Sequence, residues 1–485
     1  MREPISFLPS AAAIPSRLKL WAGRISWAAT APLVLFAARF GRTVILSRLL
    51  APGEFGITVA ITIVITTAEL ATDVGLDKFV LLKSAADARQ SLAAAQALQI
   101  FRGLLLSAAI AVLAGPAVTF FGIPRTLASF EFAALVPLVR SFWHLGIKQI
   151  QRDYDYRPAA LALTASSVAG LAVAALAAAT ILPDHRVIIL SFLVEAAVSV
   201  AASHILAHAP MRVIPDRKTL REALAYGLPL MLNGVALALI SQADRMVVGR
   251  FFGMDILGVY AVVLGLAVAP ISLLMQTAGT LGFSMLARSR DTPKRYFETY
   301  LWLTWFFAFL AFGYAAFIAL TLDVLVPLVF GKAYAVGTDT LILIAAIVFL
   351  RILRAGGPTV ALLVSGATTR LMLGNLTSVF GVAAAAALAH VHPVLTSVLA
   401  GVLFGDVLTM VLLQWAAIAR MPNEIGSLWW CFAVAGAGVA VLTTTLRLLP
   451  DPSWTNRGIV AASCALPAAI LGWGVLWRWR LRELT

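Results

Sequence analysis

LALTASSVAGLAVAALAAATI, residues 161–181, contains no charged side chain, no proline and no polar residue larger than threonine. A helix of about 20 such residues, rising 1.5 Å per residue, crosses a hydrocarbon layer ~30 Å thick. SLWWCFAVAGAGVAVLTTTL, residues 427–446, has the same character. Strands of a membrane barrel would alternate apolar and polar residues at every second position, and neither run does so. With no water available, every backbone N–H and C=O of a spanning segment must be satisfied within the protein, which leaves the helix.

Runs of this kind recur along the whole chain. Hydrophobic residues make up 61% of the sequence and charged residues only 12%, with a mean hydropathy of +0.92. A soluble chain with so little polar surface could not cover its own core. Apolar runs bounded by charge, proline and glycine predict fourteen spans: 22–50, 55–77, 95–117, 126–147, 158–181, 187–208, 222–249, 254–287, 296–320, 338–366, 371–390, 394–418, 427–446 and 458–477. The later ones follow closely enough that twelve or thirteen is the competing count. The basic, Pro/Ser-bearing start carries no signal-peptide pattern, so the first span is expected to be retained. Cys431 and Cys464 both lie in late spans without metal-ligand spacing and are expected to pack or face lipid.

Lys and Arg orient these spans, because cytoplasmic loops are enriched in them. With the N-terminus inside, 23 of the 37 basic residues fall on cytoplasmic segments, from Arg2 and Arg17 through Lys148, Arg217 and Arg288 to Arg482. About six, among them Arg125, Arg186 and Lys332, fall outside. This alternation predicts an even number of spans and two cytoplasmic termini. It also accounts for the net charge of +14 through anionic headgroups, with no need of nucleic acid.

The chain also repeats itself. Arg48-Leu49-Leu50-Ala51-Pro52-Gly53-Glu54-Phe55-Gly56-Ile57 aligns without gaps on Arg250-Phe251-Phe252-Gly253-Met254-Asp255-Ile256-Leu257-Gly258-Val259. Six spans separate the copies, so they share an orientation and predict a pseudo-two-fold axis along the membrane normal. The competing reading is that any Arg–apolar–small–Gly turn between helices looks alike. The boundaries that follow are a cytoplasmic segment 1–21, an N-lobe 22–208, a cytoplasmic loop 209–221, a C-lobe 222–418 and a final pair of spans in 419–485.

A charge near the bilayer centre costs at least ~2.5 kcal/mol on insertion scales and should be paired or face water. Arg39, Arg42, Arg102, Glu131, Arg140, His144, Glu195, Asp244, Arg245, Arg351 and Arg354 all fall inside spans, as do the polar Asn233 and Gln242. Two readings stay open. Arg48, Arg245, Arg354 and Glu131 could snorkel to an interface, and Asp244–Arg245 could be a structural pair. Alternatively Arg39, Arg42, Arg102, Arg140 and Arg351 line a cationic cavity, since Arg grips phosphate bidentately and does not deprotonate. Glu69 and Asp73, four apart on one helix face, either bind a coupling cation or neutralise nearby arginines; Asp244 is a third such acid. His144 reads as packing rather than as a proton relay. No phosphate-binding Gly-rich loop, HExxH motif or nucleophile elbow occurs, and no loop is long enough to fold as a catalytic domain. The expectation is a transporter with no enzymatic activity, cofactor or metal site.

Three segments resemble the polysaccharide-transport (Wzx-like) flippases. RTVILSRLLAPGEFGITVAITIVITTAELATDVGLDKFVLLK (42–83) is similar to their first turn, with Asp73-x-Gly75 closing span 2. KQIQRDYDYRPAALA (148–162) is similar to their link between spans 4 and 5. YGLPLMLNGVALALISQADRMVVGRFFGMDILGVYAV (226–262) is similar to their seventh span. The resemblance implies the MATE-like fold of the MOP superfamily, an all-α polytopic protein of two six-helix bundles plus two C-terminal helices. It also implies alternating-access translocation of an undecaprenyl-diphosphate-linked oligosaccharide across the bacterial inner membrane. Its implied partners are that lipid-linked oligosaccharide, membrane lipids, and the polymerase and glycosyltransferases of surface polysaccharide synthesis. A lipid II flippase is the second reading. A MATE drug exporter would favour acids over arginines in its cavity, and a glycosyltransferase scaffold would need only its basic loops.

Overall fold

The computed structural model describes residues 14–82, 88–152, 155–207, 210–213, 215–419, 426–448 and 454–483. Arg2, Lys83, Asp153 and Arg420 lie outside the described residues, as do the side chains of Arg17, Asn233, Cys431 and Arg482. Among the described residues there are helices and turns and no strand. The helices are α1 (Ile14–Leu49), α2 (Pro52–Ala71), α3 (Leu76–Leu82), α4 (Ala88–Phe121), α5 (Leu127–Ala133), α6 (Leu135–Arg140), α7 (Gly146–Arg152), α8 (Arg157–Thr180) and α9 (Arg186–Leu206). They continue with α10 (Arg217–Arg288), α11 (Pro293–Phe330), α12 (Thr338–Val364), α13 (Thr368–Leu376), α14 (Ser378–Val391), α15 (Leu395–Ile418), α16 (Gly426–Leu448) and α17 (Trp454–Glu483).

Each of the fourteen expected spans lands on helix. Ten described segments are long and apolar enough to cross a bilayer, and Phe432–Thr445 is a shorter apolar helix. The chain is therefore a multi-pass membrane protein. Leucine, phenylalanine and tryptophan side chains stay exposed on α4, α15 and α17, among them Phe101, Leu104, Trp415 and Trp473. Such faces suit acyl chains rather than water. Cys464, by contrast, is buried.

The fourth span departs from expectation. In place of one helix over 126–147, the chain forms α5 and α6, leaves helical geometry at Ser141–Leu145, and resumes in α7. Pro137, which has no N–H to donate, sits just upstream of the break. The released backbone groups are satisfied by side chains from two other helices. Gln99 donates to the carbonyls of Ser141 (3.0 Å) and Trp143 (2.9 Å). Gln96 donates to Trp143 O at 3.0 Å and accepts from Leu145 N at 3.1 Å. Ser203 Oγ accepts from His144 N at 2.9 Å. Broken helices survive at membrane depth when protein groups replace water in this way. His144 is itself buried, its Nδ1 accepting from Gly146 N at 2.9 Å and its ring set edge-on to His204.

The chain divides into two compact units, one of residues 1–51 and 64–235, the other of residues 52–63 and 236–485. In the first unit, α2 ends as its sequence dictates. Asp73 Oδ1 accepts from Gly75 N at 3.1 Å, and Gly75 takes φ +60°, a left-handed conformation that glycine adopts without penalty. A Cβ on Gly75 would lie 2.6 Å from Leu230, so the start of α10 packs directly on this turn.

The second unit contains residues 52–57 of the first repeat copy and the whole of the second, and these touch. Position 48 aligns with 250, an offset of 202 residues that pairs Pro52 with Met254, Gly53 with Asp255 and Gly56 with Gly258. A Cβ on Gly56 would collide with the Met254 carbonyl; one on Gly258 would lie 2.7 Å from the Pro52 carbonyl. One on Gly53 would lie 3.1 Å from Asp255 Oδ1. Each contact is returned by its equivalent, as a two-fold axis requires, and a chance similarity of turns would not produce that exchange. The copies differ in backbone geometry at the residue before each helix start. Ala51 is extended (φ −63°, ψ 150°), whereas its equivalent Gly253 has φ 79° and ψ −178°, breaking α10 into two spans. That region is nearly closed to side chains, and a Cβ at Gly253 meets nothing within 4 Å. Gly253→Ala is therefore expected to destabilise through backbone strain alone, by about 1–3 kcal/mol, read as a lower denaturation midpoint in detergent.

Candidate functional site

The intramembrane arginines are distributed over both units. In the first, Arg39 on α1, Arg102 on α4 and Arg140 at the end of α6 line one cavity of about 490 Å3. Glu69, Asp73 and Glu195 line it as well, with Gln99, Ser141 and Trp143 of the broken-helix region. The polar lining follows from local structure. Glu69 and Asp73 sit one turn apart at the C-terminal end of α2, and the unwound segment after α6 turns polar backbone and Arg140 toward the same space.

Each cation holds a different position. Arg140 Nη1 donates to Glu69 Oε1 at 2.8 Å and Oε2 at 3.1 Å, with the side chains 32% and 30% exposed. Its remaining guanidinium nitrogens have no hydrogen-bond partner among the described residues. Arg102 donates from Nη2 to the Glu69 carbonyl at 2.5 Å and from Nε to Thr72 Oγ1 at 3.0 Å. It thus covers the carbonyl end of α2, where a cation is favoured by the helix dipole. Arg39 is exposed and forms no ion pair among the described residues.

Arg42 stands behind the lining. Its Nη1 donates to Glu195 Oε2 at 2.7 Å and to Ser191 Oγ at 3.1 Å, and its guanidinium lies 4.6 Å over the Phe192 ring. The pair is 11% and 13% exposed. Gly170 lets α8 approach α9 closely enough to hold it, since a Cβ there would press on Glu195. The Arg140 guanidinium faces the same Phe192 ring at 5.6 Å, so one aromatic side chain braces both cations.

Arg351 belongs to the other unit. Its Nε donates to Asp406 Oδ2 at 3.0 Å, and Arg354 Nη1 donates to Asp406 Oδ1 at 3.2 Å. Arg354, read from the sequence as a snorkelling candidate, thus has a buried partner. Asp244 is buried too; it accepts from Tyr260 Oη at 2.8 Å and attracts Arg351 electrostatically. The Arg245 guanidinium turns to Gln242 Oε1 at 3.4 Å rather than to Asp244.

Four residues have a part that the sequence alone does not assign. Asp406 is the one acid in the apolar run 394–418 and lies opposite two arginines three residues apart. Glu195 was seen as ionisable but given no role. Gln96 and Gln99 carried no signal, because their partners are backbone groups more than forty residues away.

Residues 45–338 match the family described as polysaccharide biosynthesis protein, which covers more than half of the 485 residues. The chain belongs to that family. The cavity lining from Thr66 to Ser199 falls inside the matched stretch, and Leu35 and Arg39 precede it. The segments 148–162 and 226–262 that resemble Wzx-like flippases fall inside it as well, as does nearly all of 42–83. No curated protein sequence gives a significant match.

Solved structures of the same fold exist. A lipid II flippase MurJ in an inward closed conformation is similar with TM-score 0.66 and 13% identity, covering 94% of this chain and 100% of that one. An inward-facing multidrug resistance MATE family transporter of the MOP superfamily gives 0.61 and 13%, covering 79% and 94%. A MATE protein in complex with MaL6 gives 0.52 and 13%, covering 80% and 93%. The fold of this polysaccharide biosynthesis family member is that of the MOP superfamily, as its sequence implied.

Proposed function

We propose that the protein is a flippase that moves a polyprenyl-diphosphate-linked oligosaccharide, with undecaprenol as its lipid, across the bacterial inner membrane for surface polysaccharide assembly. It works by alternating access, with both termini in the cytoplasm, as the distribution of its basic residues favours. Residues 22–208 and 222–418 are its two lobes, joined by the loop 209–221 and followed by the pair in 419–485. The observation that carries this reading is the cavity of the first unit. It sets three guanidiniums among membrane-spanning helices, one of them free of any ion pair among the described residues and another with unused donors. Membrane-embedded arginines are costly unless something anionic meets them, and a diphosphate suits their forked geometry. Family membership supports polysaccharide synthesis as the setting.

The test is complementation of a strain lacking its own polysaccharide flippase. The wild-type chain is expected to restore surface polysaccharide, while Arg39→Ala, Arg102→Ala and Arg140→Ala each lower it. A charge-assisted hydrogen bond contributes about 1.5–3 kcal/mol, a loss of roughly ten- to a hundredfold in affinity. Lipid-linked glycan accumulating on the cytoplasmic face despite the wild-type chain would overturn the proposal. A second reading, lipid II as cargo, draws on the fold shared with the lipid II flippase over 94% of this chain. Rescue of a strain depleted of lipid II flippase, without rescue of the polysaccharide strain, would favour it.

A further inference from the structure

We infer that Glu69 is a resident substitute for the cargo's diphosphate, and that cargo binding displaces it from Arg140 and drives it to take up a proton. The inference rests on the flippase reading above and adds a proton to the transported complex.

The charges of the site set up the exchange. Four guanidiniums (Arg39, Arg42, Arg102 and Arg140) meet three carboxylates (Glu69, Asp73 and Glu195), a formal sum of +1. A diphosphate diester brings two negative charges, which turns the sum to −1. One proton then restores neutrality, which a low-dielectric surrounding favours.

Geometry selects the carboxylate. Glu195 is fixed by Arg42 in a nearly closed pocket against Ser191 and Phe192. Asp73 is occupied in the turn that ends α2, through its bond to Gly75 N. Among the described residues the carboxylate of Glu69 has one hydrogen-bond donor, Arg140 Nη1, and both side chains are about a third exposed. The charged groups facing Glu69 are Arg39 from α1, Arg102 from α4, Arg140 from α6, Glu195 from α9 and Asp73 from the turn after its own helix. The lining that α8 contributes, Leu163, Ser166 and Ser167, carries no charge.

When a phosphate oxygen takes over the Arg140 donor, the Glu69 carboxylate loses that partner while Asp73 and the new dianion repel it. It then binds a proton from water, forming an O–H bond with no transfer of electrons. Arg102 is retained through the transition, because it holds the Glu69 backbone carbonyl rather than the carboxylate. The empty site has Glu69 ionised and paired; the loaded site has it neutral. The proton therefore travels with the cargo, and the pair moves one net negative charge.

The experiment measures binding of a polyprenyl-diphosphate-linked monosaccharide to the purified full chain in nanodiscs at pH 6 to 8, with a pH dye reporting proton exchange. In this diester probe both acidic protons are already lost across that range, so any uptake belongs to the protein. Wild type is expected to take up about one proton per probe bound and to weaken with rising pH by at most about tenfold per unit. Glu69→Gln keeps an acceptor for Arg140 but not a charge. It is expected to bind with no uptake, with flat pH dependence, and more tightly than wild type at pH 8. Asp73→Asn is expected to retain the uptake. Wild-type binding without proton uptake overturns the inference and leaves the flippase reading intact, as does unchanged uptake in Glu69→Gln. Absence of probe binding by wild type at every pH overturns the flippase reading itself. The wild-type uptake needs no variant to fold.

Discussion

Asp406→Ala is expected to destabilise the protein by about 3–5 kcal/mol, the cost of removing one partner from a buried ion pair. The Asp406 side chain on α15 is 6% exposed, and its two oxygens accept one bond each from Arg351 and Arg354. The arginines are three residues apart on α12 and so share one face of that helix. Alanine would leave both guanidiniums, 29% and 18% exposed, without the carboxylate they share. Asp244 attracts Arg351 but is engaged by Tyr260, and Arg354 has no second carboxylate among the described residues. Asp406→Asn keeps an acceptor but not the charge and should fall between alanine and wild type. Because the penalty comes from imbalance rather than from the loss of attraction, replacing all three residues by Arg351→Met, Arg354→Leu and Asp406→Leu should recover most of the loss. Denaturant titration in detergent, followed by tryptophan fluorescence, reads all these variants. A midpoint for Asp406→Ala equal to wild type would mean that the arginines find other partners and that the triad contributes nothing.

What could be read from the sequence divides along a physical line. Features that act through local chemistry were legible: the apolar runs, the Asp73-x-Gly75 stop, and arginines in places where their cost demands a reason. The carboxylates that answer those arginines were harder to place. Glu69 and Arg140 are 71 positions apart and Arg42 and Glu195 are 153 apart. No periodicity connects such positions; only the packing of α1, α2, α6 and α9 does. The break at Ser141–Leu145 was hidden for the same reason. An apolar segment reads as a helix until the glutamines that satisfy its released carbonyls are known to be within reach. The left-handed Gly253 was equally silent, since its repeat equivalent is an alanine in ordinary extended geometry.

Gly56→Leu and Gly258→Leu are each expected to destabilise by at least about 3 kcal/mol, at the upper end for overpacking, and by similar amounts. A leucine at either position has to displace backbone rather than a side-chain tip. At Gly56 the obstacle is the Met254 carbonyl, and at Gly258 it is the Pro52 carbonyl with Gly56 N 3.2 Å away. Small residues at helix crossings matter most in membranes, where close van der Waals packing replaces the hydrophobic drive. The two glycines occupy equivalent places in the repeat and press on equivalent partners, so they belong to a single contact. Once a leucine at one has forced the segments apart, a leucine at the other meets a gap already opened. The double variant should therefore lose clearly less than the sum of the two single losses, as positions sharing a contact do. Strict additivity would mean two independent contacts, and a harmless change at one glycine would mean that the local two-fold is not respected in solution. Either outcome would separate the sequence repeat from the packing symmetry, which the reciprocal placement of Pro52, Gly56, Met254 and Gly258 currently unites.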